Sequence, residues 1–362
     1  MLKERYTHSF SRIHSLSRVG SSFTGVILGE RTQAKQKKTH LLEEVREEVA
    51  NSSEDKREVV VEKGSEIFKQ KLFDFKLRMI GALSLYSYFG NIPYSELEKG
   101  DNMDSFYLFW FLGAAQDDLI DSFSSTDSRG SVGRVGRTKE IMFNSDGGFL
   151  QGALNVLRKK IEKSEMGKEE QEYLLDKVES WNEFVSTQED DVRERDLTDY
   201  TFAFSKEYRE TQNKHASKTL IALLNWDQCL DPSMQKLESS IPPFSFLTQI
   251  IDDIIDVRED LVAKRPSYAV GALVDHSEEL RLFQEGLKTY KKDGKMHHFS
   301  FKKVAPNAYS QIHDAFMKYK DDLQRENGDK SEGLIFTINS LYRFVPLLEV
   351  MLDRAASGTT VY

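Results

Sequence analysis

Apolar residues recur at spacings of three and four along most of this chain, and that period limits the fold more than any other feature. Stretches at 67–89, 103–123, 148–161, 171–185 and 220–230 carry it, followed by 244–262, 278–290, 308–324 and 333–352. Such spacing places one apolar stripe along a helix. Only 7 prolines interrupt the text. Most stand at apparent helix boundaries, at Pro93, Pro232, Pro242-Pro243, Pro266 and Pro306, where a residue without an N–H does least damage. No alternating strands flank an Asn-Gly or Asp-Gly turn, and no repeat of 20–50 residues marks a solenoid. The expected class is all-α, in one large bundle.

A chain of 362 residues can bury a large core. Its apolar content of 39%, with 23 Phe, is too high for a disordered chain. The formal net charge of −9 argues against general attraction to nucleic acid or anionic lipid. One cysteine, Cys229, leaves no internal disulfide and no cysteine-built zinc site. No apolar run reaches the roughly 20 residues that a membrane span needs. Residues 1–60 are expected to form a loose or peripheral N-terminal arm. Its first 40 residues, rich in Ser, Thr, Arg and Lys, also have the bias of a transit peptide. The helical domain is expected over 61–355, with a tail at 356–362. A cytoplasmic location is expected, with organellar targeting by the arm left open.

Two acidic clusters of one form follow apolar runs. They are Asp117-Asp118-Leu119-Ile120-Asp121 and Asp252-Asp253-Ile254-Ile255-Asp256, preceded by Gln116 and Gln249. On a helix the first and last aspartates of each stand four apart and project from one face. Two such helices facing each other would bring up to six carboxylates together, which resist full ionisation without cations. Hard oxygens in that arrangement suit Mg²⁺, which commonly joins one or two carboxylates to substrate phosphates. A single acidic pair four apart is usually a solvated face, but two apolar runs ending in the same five-residue pattern are not expected by chance. Beneath the first cluster, Phe106, Phe109, Trp110, Gly113 and Ala114 share its helical face, and Phe246, Gln249 and Ile250 lead into the second.

The chain resembles the class I isoprenoid synthases, and most closely the trans-isoprenyl diphosphate synthases, over roughly residues 67–270. The resemblance rests on Gln116–Asp121, on His215-Ala216-Ser217-Lys218-Thr219-Leu220, and on Phe246-Leu247-Thr248-Gln249-Ile250-Ile251-Asp252-Asp253. It implies a single α-bundle around a central apolar cavity. It also implies three Mg²⁺ ions that bridge an allylic prenyl diphosphate to Asp117 and Asp121 on one side and Asp252 on the other. Asp118, Asp253, Asp256 and Asp260 would complete the ligand set. Lys218 would hold diphosphate oxygens, and Phe109, Trp110, Leu112, Gly113 and Gln249 would line the hydrocarbon pocket. With Leu112 and Gly113 just before the first motif, the pocket is expected to admit a geranylgeranyl-sized chain.

Departures from the family pattern leave the reaction open. Elongating enzymes anchor isopentenyl diphosphate with a G-G-K-R-x-R-P stretch. Here only Lys76 and Arg78, in Phe75-Lys76-Leu77-Arg78-Met79, stand in its place. The arginine pair after the first motif has its nearest counterpart in the glycine-rich loop bearing Arg129, Arg134 and Arg137, which reads equally as a phosphate cradle or a solvated loop. Lys264 and Arg265 follow the second motif closely enough to clasp diphosphate, although Pro266 signals a turn. A terpene cyclase of the same superfamily is the alternative. Asp252, Asp256 and Asp260 then fill an i, i+4, i+8 metal pattern, and Arg209 is the diphosphate-sensing arginine. A non-catalytic regulatory partner of the same fold is a weaker alternative, and a homodimer is the assembly common in the fold. Glu189–Asp196 reads as a solvated helix end, and His297-His298 as a loop.

Overall fold

The computed structural model describes residues 21–22, 24–30, 34–52, 57–73, 77–98, 102–124, 148–193, 195–293 and 301–356. Within these, the side chains of some positions are not described, Arg78 and 116–124 among them. Every regular element is helical, and the described residues contain no strand, as the periodicity requires. No helix among the described residues is long and apolar enough to cross a membrane.

One domain is expected over 61–355, but the chain clusters into two compact units. The N-terminal unit takes 17–183 and 215–238, and the C-terminal unit takes 184–214 and 239–362. In chain order the helices are α1 (Ala34–Ser52), α2 (Arg57–Leu72), α3 (Leu77–Gly90), α4 (Tyr94–Leu97), α5 (Asn102–Ser124), α6 (Phe149–Lys163) and α7 (Lys168–Arg193). They continue with α8 (Phe202–Leu224), α9 (Pro232–Ile255), α10 (Val257–Ala263), α11 (Tyr268–Asp275) and α12 (Ser277–Asp293). The last are α13 (Phe301–Val304), α14 (Pro306–Asn327) and α15 (Glu332–Ala356). The divisions between units fall within α7, α8 and α9.

In the N-terminal unit, α1 occupies sequence expected to be a peripheral arm, yet it is built into the core. Its residues Ala34, Leu41, Leu42, Val45 and Val49 are buried at helical spacing. They meet α6 so closely that a Cβ on Gly152 would stand 2.5 Å from Val49 Cγ2. The charged appearance of this segment misleads because its polar face is long while its apolar stripe is narrow. A trio of rings joins three further helices: Phe68 of α2 lies 4.8 Å from Phe111 of α5 and 6.3 Å from Phe149 of α6.

A buried polar cluster fastens the helical residues 24–30 to this unit. Glu30 forms an ion pair with Lys38, and its side chain is only 4% exposed. The same carboxylate accepts hydrogen bonds from Tyr94 Oη at 2.8 Å and Tyr107 Oη at 2.5 Å. Lys38 Nζ sits 4.8 Å from the centre of the Tyr107 ring. One charge of each sign, with the remaining lone pairs occupied, is the condition under which a buried ion pair is tolerated.

The C-terminal unit packs α11 against α14 and the first half of α8. A Cβ on Gly271 of α11 would stand 2.8 Å from Ser205 Cβ, so this crossing requires glycine. The phenols of Tyr268 and Tyr319 meet at 3.1 Å, and Tyr319 donates to Glu210 of α8. Glu279 caps the start of α14, accepting from the backbone N–H groups of Asn307 at 3.0 Å and Ala308 at 2.9 Å. A carboxylate there satisfies donors that the helix cannot and faces the positive end of its dipole.

Candidate functional site

The second aspartate motif ends α9. Phe246, Leu247, Ile250, Ile251 and Ile254 are buried, so the run before it is a core stripe as expected. Asp256 closes the helix and serves as the N-cap of α10, with φ −92° and ψ 7°. Asp260 N still reaches Asp256 O at 2.9 Å, so α9 and α10 are nearly continuous across that one residue.

Burial separates the carboxylates into two groups. Asp252 and Asp256 are half-exposed, four residues apart. Asp253 and Asp260 are interior, at 1% and 3% exposure. Seven helical residues make nearly two turns, so Asp253 and Asp260 share the face that Phe246 and Ile250 occupy further back. The i, i+4, i+8 reading grouped Asp260 with Asp252 and Asp256, but eight residues rotate it toward Asp253 instead.

The interior pair is held by named partners. Arg209 of α8 lies 3.0 Å from Asp253 and 3.9 Å from Asp260. Gln249 Nε2 donates to Asp253 at 2.6 Å, and the backbone N–H of Tyr268, at the start of α11, donates to its other oxygen at 2.7 Å. Arg265 Nη1 is 3.7 Å from Asp260, and Arg265 N–H donates to Asp260 O at 2.9 Å. The turn between α10 and α11, with Lys264 in the left-handed region at φ 53°, brings Arg265 back. Burial pushes the Asp253 carboxyl up from the usual carboxylate range, against the Arg209 guanidinium and the two hydrogen bonds. Asp260 is pushed up to about 7 by burial, with the neighbouring Asp253 acting in the same direction and Arg209 opposing both. Burial, with a second carboxylate alongside, favours retention of a proton on Asp260 even against two guanidiniums.

This geometry alters the expected roles of several residues. Arg209 faces Asp253 and Asp260 in place of an open diphosphate site, and Arg265 faces Asp260. Gln249 spends its amide on Asp253. As placed, Asp253 and Asp260 are enclosed by protein donors, which are the wrong partners for a cation's ligands. Lys264 is exposed on the turn, and Lys218 is exposed on α8.

The first motif lies on the backbone of α5, as the periodicity requires. The side chains of Asp117, Asp118 and Asp121 lie outside the described residues, as do Lys76, Arg129, Arg134, the Arg78 side chain and His297-His298. Of the expected pocket, Phe109 and Leu112 are buried, and Phe109 packs on Trp181 with ring centres 5.6 Å apart. Trp110 is half-exposed and stacks on Phe106 at 6.0 Å. A Cβ added at Gly113 would meet only Trp181 Cζ2, at an ordinary 3.9 Å, so packing does not demand glycine there. Among the described residues, no group of three or more His, Cys, Asp or Glu side chains is arranged to hold a metal.

No family model matches the chain, and neither does any curated protein or solved structure. The likeness to isoprenoid synthases therefore stands on the two motifs and Lys218-Thr219 alone.

The sequence reading missed the dependence of the second motif on Arg209 and Tyr268. The signal was present, because Asp253 follows Phe246 by seven and Ile250 by three. It therefore continues the buried stripe, where only a partnered charge is tolerated.

Proposed function

We propose that the protein is a Mg²⁺-dependent isoprenoid synthase that ionises an allylic prenyl diphosphate, with trans-prenyl elongation by isopentenyl diphosphate as its reaction. The observation that supports this most is the division of the second motif, which leaves Asp252 and Asp256 half-exposed at a spacing of four while Asp253 is tied inward. Hard carboxylate oxygens in that position fit Mg²⁺, although two residues do not complete a ligand set. Asp117 and Asp121 are further Mg²⁺ ligands by the resemblance. Bound there, Mg²⁺ would offset the charge of the departing diphosphate.

The chain's own residues have separable tasks under this reading. Asp253, locked by Arg209, Gln249 and the Tyr268 N–H, fixes the end of α9 and therefore the direction of Asp252 and Asp256. Lys218, exposed on α8, is a point charge for phosphate oxygens. The apolar face of α5 below Asp117, with Trp110 and Gly113 half-exposed, receives the hydrocarbon and keeps water from the allylic centre.

The test is incubation with Mg²⁺ and farnesyl or geranylgeranyl diphosphate, with and without isopentenyl diphosphate, followed by mass spectrometry. A longer prenyl diphosphate formed only with isopentenyl diphosphate supports elongation. A hydrocarbon or alcohol from the allylic diphosphate alone would instead mean cyclisation, and no product under either condition would count against both.

A further inference from the structure

A second candidate site lies in the C-terminal unit, on sequence that the aspartate motifs do not involve. A groove of about 620 Å³ runs along α14 and α15, with Lys302 of α13 at one edge. Its aromatic surface is built on Tyr342, which is buried. Phe316 lies against that ring at 4.0 Å and 21°, His313 at 5.7 Å and 25°, and Tyr309 at 6.0 Å and 27°. Each of these three rings lies within 27° of parallel to Tyr342, an orientation that offset stacking with a further planar ring can continue.

Among the described residues the charges lining the groove have one sign: Lys302, Lys320 and Arg343 line it, and no described carboxylate does. Lys302 Nζ stands 5.1 Å from the centre of the Tyr309 ring, and Lys320 Nζ is 3.3 Å from Met317 Sδ. Neither contact neutralises the ammonium. On a chain of net charge −9, most surface cations elsewhere in this unit do have acidic partners, as Lys318 has Asp322 at 2.9 Å and Arg281 has Glu285 at 2.6 Å. Three cations beside stacked rings match an anion attached to a flat body, and Asn339 and Ser310 add hydrogen-bonding edges.

We propose that this groove binds a phosphorylated ligand with a planar ring, of the nucleotide type. The ring lies along Tyr309, His313 and Tyr342, and the phosphates meet Lys302, Lys320 and Arg343. A rigid ring loses little internal freedom on binding, which favours it over a flexible prenyl chain on this surface.

The experiment is calorimetric titration of the intact protein with adenosine diphosphate in EDTA, so that no Mg²⁺-dependent site contributes. Saturable binding is expected, persisting in Asp252→Ala and weakened about tenfold or more in Lys320→Gln/Arg343→Gln, since each charge-assisted contact is worth on that order. Arg343→Gln alone, at an exposed position, should still weaken it if the double variant folds poorly. His313→Ala should weaken adenosine diphosphate but leave inorganic diphosphate unchanged. Absence of saturable binding, or equal affinity in wild type and variants, would overturn the proposal. Inorganic diphosphate binding as tightly as the nucleotide would remove the role of the ring, and tighter binding of geranyl diphosphate would replace the planar body with a prenyl one.

Discussion

Both units bury carboxylates, and they do so on different terms. In the N-terminal unit one acid, Glu30, meets one cation, Lys38, and two phenols, so the cluster is balanced in charge. In the C-terminal unit two acids, Asp253 and Asp260, both face Arg209, at 3.0 and 3.9 Å, and Asp260 also faces Arg265 at 3.7 Å. The first arrangement is a fastening, tying residues 24–30 to α1, α4 and α5 through Lys38, Tyr94 and Tyr107. The second is attached to a half-exposed pair, Asp252 and Asp256, and its acids are pushed upward in pKa. The two clusters therefore differ less in the count of charges than in what surrounds them: interior acids raised in pKa beside a half-exposed pair are the kind of group that functional sites favour.

The largest expected effect on stability is at the balanced cluster. Glu30→Ala leaves Lys38 buried without its partner, and urea denaturation should show a loss of about 3–5 kcal/mol. Replacing both, Glu30→Met with Lys38→Leu, should recover much of it, which distinguishes a stranded charge from lost packing. Next is the crossing of α1 and α6. Gly152→Ala forces Val49 aside and should cost about 1–3 kcal/mol. A neutral result would mean that α1 is held more loosely than the 2.5 Å approach implies.

The shared-arginine cluster should respond to pH in a direction opposite to ordinary paired carboxylates. Asp260 has a folded pKa near 7, above an unfolded value of about 3.9. Between those values the folded chain holds a proton that the unfolded chain has released, so stability falls as pH rises through that window. Asp260→Asn should flatten this slope and melt several degrees higher than wild type at pH 8, while differing little at pH 4. A wild-type slope of the opposite sign would show that Arg209 and Arg265 hold the acid ionised. The smallest stability effect should come from Lys218→Gln. At this exposed position a change within about 0.5 kcal/mol is expected, together with weaker diphosphate binding.

Much of the fold was legible because helix periods survive in the text. The burial of Phe246 and Ile250 follows from spacing alone, but the expected stretch 244–262 runs past the end of α9 at Ile255, and Pro242-Pro243, expected at a boundary, lie inside that helix. The N-terminal segment was not legible in the same way. The buried face of α1 includes Lys38 beside Leu41, Val45 and Val49, and a charged residue in an apolar stripe reads as a break in it. Its burial is explained by Glu30, eight residues before it, and by Tyr107, far along the chain, and neither contact is written in the spacing. The site was legible as a pattern but not as a division of roles. Counting by fours groups Asp252, Asp256 and Asp260, whereas the rotation of eight residues and the contact with Arg209 separate the last from the first two.

The most direct test compares diphosphate release from an allylic prenyl diphosphate in Mg²⁺ for wild type, Asp252→Ala and Asp253→Asn, with circular dichroism on each. Asp252→Ala is expected to remain folded and lose turnover. Asp253→Asn is expected to melt lower yet keep measurable turnover at a temperature where it is folded. Wild-type release by Asp252→Ala, or a folded Asp253→Asn as inactive as Asp252→Ala, would contradict the division of the motif into an outward reactive pair and an inward support.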